Sequence, residues 1–143
     1  MGKKRIVTQG EIGGAEKDSG VARVSSKRHA DFGTLYIEAT YNNTKALLAD
    51  MKGNALAWTS SGTLGFRGAK KGTPFAAAKV GEIAGEKAQG IGIKEVSVVV
   101  SGVGAGRESA IRGFLSKGIN LATIKDVTPV PHNGPRPKKP RRV

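Results

Sequence analysis

A glycine-rich turn in the C-terminal half of the chain has residue types that suit an anion site. Gly102-Val103-Gly104-Ala105-Gly106 follows a run of valines and leads into Arg107. Backbone N–H groups at the start of a helix, the helix dipole and an arginine together favour a phosphate or a carboxylate. Three interpretations are open: a dinucleotide site, an RNA phosphate held by Gly104, Gly106 and Arg107, or a tight turn that serves packing alone.

The dinucleotide interpretation requires G-x-G-x-x-G after a strand and an acid about twenty residues later. Gly102, Gly104 and Asp126 fit this pattern, but Arg107 stands where the third glycine belongs. The sequence also lacks the Gly-Lys-Ser/Thr ending of a triphosphate-binding loop. The pattern therefore disfavours a nucleotide cofactor, and we expect no cofactor.

Acidic residues and histidines give little support for catalysis. A metal-dependent nuclease needs carboxylates that converge on its cations. Only Glu38, Asp50 and Asp126 lie on strands or at strand ends where such a cluster could form, and nothing in the pattern brings the three together. His29 falls in a tail and His132 in a proline-rich segment, so no serine–histidine pair is indicated. We expect no catalytic residue, no metal site and no small-molecule substrate.

A second glycine-rich segment, residues 60–72, combines four glycines with three cations and no acid. Glycines let a backbone approach phosphates, and Arg67, Lys70 and Lys71 supply the positive charge that neutralises them. Phe66 is a candidate to stack on an unpaired base. The alternative is a loop without a partner, in which Phe66 tucks under the sheet.

The charge of the chain points to a polyanionic partner. The 143 residues include 24 basic and 11 acidic side chains, which gives a formal net charge of +13. Repulsion among so many positive charges destabilises a compact state. No apolar run reaches the roughly 20 residues of a membrane-spanning helix, and no signal peptide is evident. Cysteine is absent, which excludes disulfides and thiolate metal sites. We expect nucleic acid as the partner and no membrane.

Composition divides the chain into three parts. Residues 1–31 show no helical or strand period and are predicted to be a tail, residues 32–127 one domain, and residues 128–143 an extended arm. Five prolines in the arm forbid regular structure and lower the entropy that binding must remove. The arm contains no acid and five cations, Arg136, Lys138, Lys139, Arg141 and Arg142.

Hydrophobic periodicity predicts the fold of the domain. Leu35, Ile37, Ala39 and Tyr41 alternate with other residues as in a half-buried strand. Strands over about 44–50 and 55–60 follow after short turns, which predicts an antiparallel meander.

The second half of the domain alternates helices and strands. Thr73 as cap and Pro74 at the first position predict a helix to about residue 90. Valines in the strand over 94–101 suit a central strand covered on both faces. A helix over 107–117 and a strand over 119–127 complete a β-β-β-α-β-α-β order, which predicts a layered α/β domain with a mixed sheet.

Several motifs together resemble the small-subunit ribosomal protein eleven family. The motifs are Tyr41-Asn42-Asn43-Thr44, Gly53-Asn54-Ala55-Leu56-Ala57-Trp58, Gly65-Phe66-Arg67-Gly68, Thr73-Pro74-Phe75-Ala76-Ala77, Gly104-Ala105-Gly106-Arg107, Ala110-Ile111-Arg112, Asp126-Val127-Thr128-Pro129-Val130-Pro131-His132-Asn133-Gly134, Arg136-Pro137 and Arg141-Arg142-Val143. The similarity runs in order from about residue 32 to residue 143. Its Pro-His-Asn-Gly form is similar to the bacterial or organellar branch.

The resemblance implies a ribonuclease-H-like fold without nuclease activity. It also implies a structural place on the platform of the small subunit, bound to ribosomal RNA, with platform proteins as neighbours and messenger RNA nearby on its exit path. The implied location is a cytoplasmic or organellar ribosome. An RNA-binding protein that acts outside the ribosome is the alternative.

The resemblance also implies which residues contact RNA. They are Asn42, Asn43, Arg67, Lys70, Lys71, Arg107, His132, Asn133, Arg136, Lys138, Lys139, Arg141 and Arg142. Two positions depart from the family pattern, since Pro135 stands where cysteine is common and Pro140 interrupts the basic run. The tail over residues 1–31 matches the family poorly.

Asn133-Gly134 is a candidate for covalent modification. The glycine offers no side-chain hindrance when its backbone nitrogen attacks the Asn133 side-chain amide carbon. Ammonia leaves as a succinimide forms, and water then opens the succinimide to isoaspartate. A bound conformation that blocks this attack is the alternative.

Overall fold

The computed structural model describes residues 29–140, which form a five-stranded sheet and two helices. The strands are β1 (Phe32–Ala39), β2 (Thr44–Ala49), β3 (Ala55–Ser60), β4 (Glu95–Ser101) and β5 (Asn120–Asp126), and the helices are α1 (Pro74–Ile91) and α2 (Gly106–Leu115). A short 3-10 helix, Gly68–Gly72, precedes α1. The predicted order of elements is confirmed. The expectations for residues 1–28, Arg141 and Arg142 lie outside the described residues.

The strand order in the sheet is β3-β2-β1-β4-β5. β1 is antiparallel to β2, and β2 is antiparallel to β3, as the predicted meander requires. β4 pairs in parallel with both β1 and β5, so the sheet is mixed, as predicted. The ribonuclease-H-like label stays a prediction.

Both helices cover the same face of the sheet. Leu35 and Ile37 of β1 alternate with exposed residues and are buried beneath the helices. Phe114 of α2 and Val80 of α1 pack with them in one hydrophobic core. None of the helices in residues 29–140 is long and apolar enough to cross a membrane.

Small residues bring the two helices unusually close together. A Cβ atom at Gly81 of α1 would lie 2.1 Å from the backbone oxygen of Ala110 in α2. A Cβ atom at Gly113 of α2 would lie 2.3 Å from the backbone oxygen of Ala78 in α1. Both neighbours are backbone atoms, which cannot rotate away, so the crossing depends on glycine at these positions.

The prediction that β4 is covered on both faces was wrong. Val96, Val98 and Val100 are buried, but the intervening side chains are only half-buried because neither helix lies on their side. Strand register places Trp58, Leu47, Tyr36 and Val99 in one row across this uncovered face. We name these four residues the open-face row.

Two boundaries also differ from the prediction. Tyr41 lies beyond the end of β1 and is 78% exposed, because the chain turns after Ala39 and the strand alternation stops. Helix α1 continues to Ile91, where Gly92 ends it in the left-handed region with φ 96°. The Gly92 N–H then donates to the backbone oxygens of Ala88 and Gln89.

Candidate nucleic-acid interface

One edge of the sheet collects the segments that the sequence singled out. β1, β4 and β5 are parallel, so their carboxyl ends meet at the same edge, where β2 begins and β3 ends. The starts of both helices pack there too, since a Cβ at Gly106 of α2 would lie 2.4 Å from Thr44 Oγ1 and 2.7 Å from the Ala77 Cβ of α1. We name this surface the loop edge and define it as residues 40–43, 61–73, 102–107 and 127–128.

The β1–β2 turn presents Asn42 at the loop edge. The Thr40 N–H donates to the Asn43 oxygen at 2.9 Å, and the Asn43 N–H donates to Thr40 Oγ1 at 3.1 Å. These bonds hold the turn closed and leave the Asn42 side chain exposed. Asn43 is half-buried, and within residues 29–140 its Oδ1 atom has no hydrogen-bond partner.

The loop before α1 contributes the positive charge of this edge. Gly65 and Gly68 adopt positive φ values of 90° and 61°, which glycine tolerates without strain. Arg67 and Lys70 are exposed and Lys71 is half-buried. Among the ion pairs of residues 29–140, none involves any of these three cations. Their charge is therefore available to a partner.

Phe66 packs against the start of α1. Its ring meets that of Phe75 edge to face, with centroids 6.1 Å apart and planes 82° apart. Phe66 is half-buried, whereas Phe75 is 65% exposed and has the Lys79 ammonium 5.9 Å from its centroid. Sequence analysis singled out Phe66 and missed Phe75, which is the more accessible ring. Base stacking on Phe66 stays a prediction.

The glycine turn after β4 is shaped by packing. The Gly104 N–H donates to the Ala39 oxygen at 2.8 Å, and a Cβ at Gly104 would lie 2.2 Å from the Thr40 oxygen. Gly104 and Gly106 are both buried. The need for these two glycines thus follows from close approach to β1 and β2. The RNA contact expected of them stays a prediction.

Arg107 joins the glycine turn to the end of β5. Its guanidinium donates to the Gly102 oxygen, to the Asp126 carboxylate and, at 3.0 Å, to Thr128 Oγ1. The side chain is 33% exposed. Arg107 therefore already has anionic and polar partners within the protein, unlike the three cations of the loop before α1.

Hydrogen bonds to Asp126 hold it in its ionised form. The Thr128 hydroxyl and backbone N–H donate to Asp126 Oδ1 at 2.6 and 2.9 Å. These bonds, followed by the bond from Arg107, lower the pKa of Asp126 to about 2. The carboxylate is thus charged at physiological pH and compensates the arginine.

The three carboxylates considered for a metal site each form hydrogen bonds or ion pairs with different residues. Glu38 lies 3.5 Å from the Lys45 ammonium on the open face. Asp50 accepts from the backbone N–H groups of Lys52 and Asn54 in the β2–β3 turn. No group of three or more potential metal ligands occurs within residues 29–140. The structure therefore does not bring these acids together.

Comparison with known proteins identifies the family. A family model described as ribosomal protein S11 matches residues 33–142. The chain belongs to the ribosomal protein S11 family. Two similar relatives are the small ribosomal subunit proteins uS11 from two strains of Treponema pallidum, one of which is the Nichols strain. Each is 55% identical over 117 residues, which cover 82% of this chain and 93% of the relative.

The S11 arm leaves the domain at the loop edge. Val127 still bonds to Val100, and beyond Thr128 the side chains predicted to contact RNA are exposed: His132, Asn133, Arg136, Lys138 and Lys139. Asn133 is the one non-glycine residue with positive φ, 56°, among residues 29–140. The arm and the cationic loop therefore begin from the same side of the S11 domain.

Thr128 is a structural residue that sequence analysis did not single out. The sequence nevertheless contained a signal for this residue, because an aspartate often accepts a hydrogen bond from the backbone N–H two residues later. The Asp126-Val127-Thr128 spacing matches this local motif. The contact with Arg107 could not be inferred, since it crosses from α2 to the end of β5.

Proposed function

We propose that this S11 protein is a structural constituent of the small ribosomal subunit that binds ribosomal RNA through its loop edge and its arm. The observation that carries the proposal is the position of Arg67, Lys70 and Lys71 at the edge from which the basic arm departs. None of these three cations has an ion pair within residues 29–140. Membership of the S11 family supports the ribosomal setting. The platform of a cytoplasmic ribosome, near the messenger exit path, is the location we propose.

The proposed role is scaffolding without catalysis. Two loops and one arm contact separate RNA segments and hold them together, which requires binding energy and no turnover. The local partners of Glu38, Asp50 and Asp126 support this view, because each acid serves a turn or an ion pair. The alternative is an RNA-binding role outside the ribosome. A protein with that role would not co-sediment with small subunits in moderate salt, whereas a ribosomal constituent would.

Binding to naked small-subunit ribosomal RNA is expected to fall steeply with salt. If about 6 phosphates are neutralised, the logarithm of affinity should change with the logarithm of salt at a slope of roughly −4 to −5. The reason is that each contact releases condensed counterions. A filter-binding titration across salt concentrations measures this slope, and a slope near zero would reject electrostatic RNA binding.

The open face is the surface that we assign to a neighbouring small-subunit protein. The open-face row borders a groove of about 470 Å³. Glu38 forms an ion pair with Lys45 beside the row, and Glu95 balances the charge of Lys125 on the same face. This face therefore has little net charge in a chain of +13. The face therefore has no excess of cations to attract phosphates. Trp58, which is 60% exposed, instead offers a large apolar side chain to a protein surface.

Trp58 is expected to be protected in complete small subunits and accessible in the free protein. It is the single tryptophan of the chain, so its oxidation by hydroxyl radicals can be followed by peptide mass spectrometry. A complex with naked ribosomal RNA alone should leave Trp58 accessible, because the loop edge and the arm make the RNA contacts. Protection by RNA alone, or accessibility in the complete subunit, would contradict the assignment to a protein neighbour.

We also propose Asn133 as a site of isoaspartate formation. The side chain is exposed, and Gly134 has only the Pro131 Cβ, at 3.8 Å, near the position of a Cβ of its own. Within residues 29–140, no other atom beyond the chain neighbours crowds this position of Gly134, which leaves the Asn133-Gly134 segment open. Peptide mass spectrometry of mature particles that finds only intact Asn133 would count against the modification.

A further inference from the structure

We infer that Arg107, Asp126 and Thr128 form a clamp that fixes the direction in which the C-terminal arm leaves the sheet. In this view Arg107 serves RNA binding as a positioning residue and not as a phosphate ligand. The inference rests on the proposed function, because the arm must bind RNA for its direction to matter. It replaces the expectation, drawn from the sequence, that Arg107 contacts RNA itself.

Thr128 is the centre of the clamp. Its hydroxyl donates to Asp126 Oδ1 at 2.6 Å and accepts from Arg107 Nη1 at 3.0 Å and from the Gly102 N–H at 3.2 Å. Its backbone N–H donates to the same Asp126 oxygen at 2.9 Å. A single residue after β5 is thus bonded to the strand end, to the glycine turn and to α2.

Arg107 closes the clamp from the side of the helix. Its two terminal nitrogens bond to Gly102, Thr128 and Asp126, and the aspartate compensates its charge. A guanidinium in this position attracts an incoming phosphate less than the loop cations do, since Arg67 and Lys70 have no carboxylate beside them in residues 29–140. The geometry therefore favours a structural use of its N–H groups.

The clamp lies at the point where the C-terminal arm leaves the domain. Val127 donates to Val100 at 2.9 Å, and Thr128 is the last residue, within the part of the chain that the structure describes, with a hydrogen bond to the domain. The exposed, proline-rich segment after it has few internal degrees of freedom. An anchor at Thr128 consequently restricts the volume in which the arm cations can meet RNA, and such preorganisation lowers the entropic cost of binding.

Full-length Thr128→Val and Arg107→Gln test the inference. Thr128→Val preserves shape and charge but removes the hydroxyl, and each change is expected to weaken binding to naked small-subunit ribosomal RNA by roughly tenfold. This is the effect expected when about one backbone residue regains its freedom. The double variant should be no weaker than either single variant, because both changes open one clamp.

A full-length chain with a neutral arm provides the control background. It contains R136Q, K138Q, K139Q, R141Q and R142Q, and in it neither clamp change should reduce affinity further. If Arg107 were a phosphate ligand, Arg107→Gln would reduce affinity in both backgrounds and make the salt slope shallower by roughly 1. That result would overturn the inference.

An NMR titration shows independently whether the clamp has opened. Thr128→Val should raise the pKa of Asp126 from about 2 towards its ordinary value, since the bonds from Thr128 are the main cause of the low value. Unchanged RNA affinity in a folded variant with this raised pKa would also overturn the inference. Failure of the wild-type chain to bind the RNA would instead refute the proposed function, so the two failures are distinguishable.

Discussion

Replacing Lys70 and Lys71 with glutamine is expected to weaken binding to naked small-subunit ribosomal RNA by roughly 30-fold at about 0.1 M salt. Both lysines lie in the 3-10 helix at the loop edge and have no ion pair among residues 29–140. Each phosphate contact that is lost should also make the salt slope shallower by roughly 0.7 to 0.9. Filter binding of the double variant across salt concentrations measures both effects.

Lys52 and Lys94 provide a matched control at the opposite edge of the sheet. Lys52 lies in the β2–β3 turn, and Lys94 bonds through its backbone to Asp31, just before β1. The Lys94–Asp31 ion pair, at 3.6 Å, is exposed and so contributes little to stability. K52Q/K94Q removes the same charge as K70Q/K71Q, and equal loss of affinity in both would show that net charge, and not the loop edge, drives binding.

Gly81→Ala is expected to lower the free energy of unfolding by about 2 kcal/mol, although alanine is the better helix former. The added methyl carbon would lie 2.1 Å from the Ala110 oxygen and 2.8 Å from the Phe114 nitrogen. Both atoms belong to the backbone of α2, so relief requires the two helices to separate. Urea denaturation followed by circular dichroism measures the change.

Gly90→Ala is the control for this prediction within the same helix. Nothing in residues 29–140 lies within 4 Å of a Cβ built at Gly90, which is exposed. The substitution should therefore raise the free energy of unfolding, by up to about 1 kcal/mol, through helix propensity alone. Changes of the same sign for Gly81→Ala and Gly90→Ala would contradict the role of close helix packing.

Local signals were sufficient for the order of elements. Alternation in β1 and the Thr73 cap with Pro74 act over a few residues, so the sequence contains these signals in full. The prediction that β4 is covered on both faces was wrong because coverage of a strand depends on distant parts of the chain. A run of valines shows that a strand is apolar, but the number of helices on each face depends on how the chain crosses the sheet.

Arg107 shows the same limit within the candidate site. A glycine turn followed by arginine at a helix start has the chemistry of an anion site, and the sequence offered phosphate as its partner. Asp126 was also identified, but as a possible cofactor or metal ligand. Only the parallel pairing of β4 with β5 places that carboxylate beside the guanidinium.

By itself the sequence determined the charge of this protein, its secondary structure, its S11 motifs and a basic proline-rich arm, because each is a property of neighbouring residues. Tertiary structure decided which cations of residues 29–140 remain without an internal partner, which glycines serve packing, and that loop and arm share one edge. The physical reason is that charge compensation and close packing act between residues distant in the chain. Parallel strands join those residues by placing their carboxyl ends together.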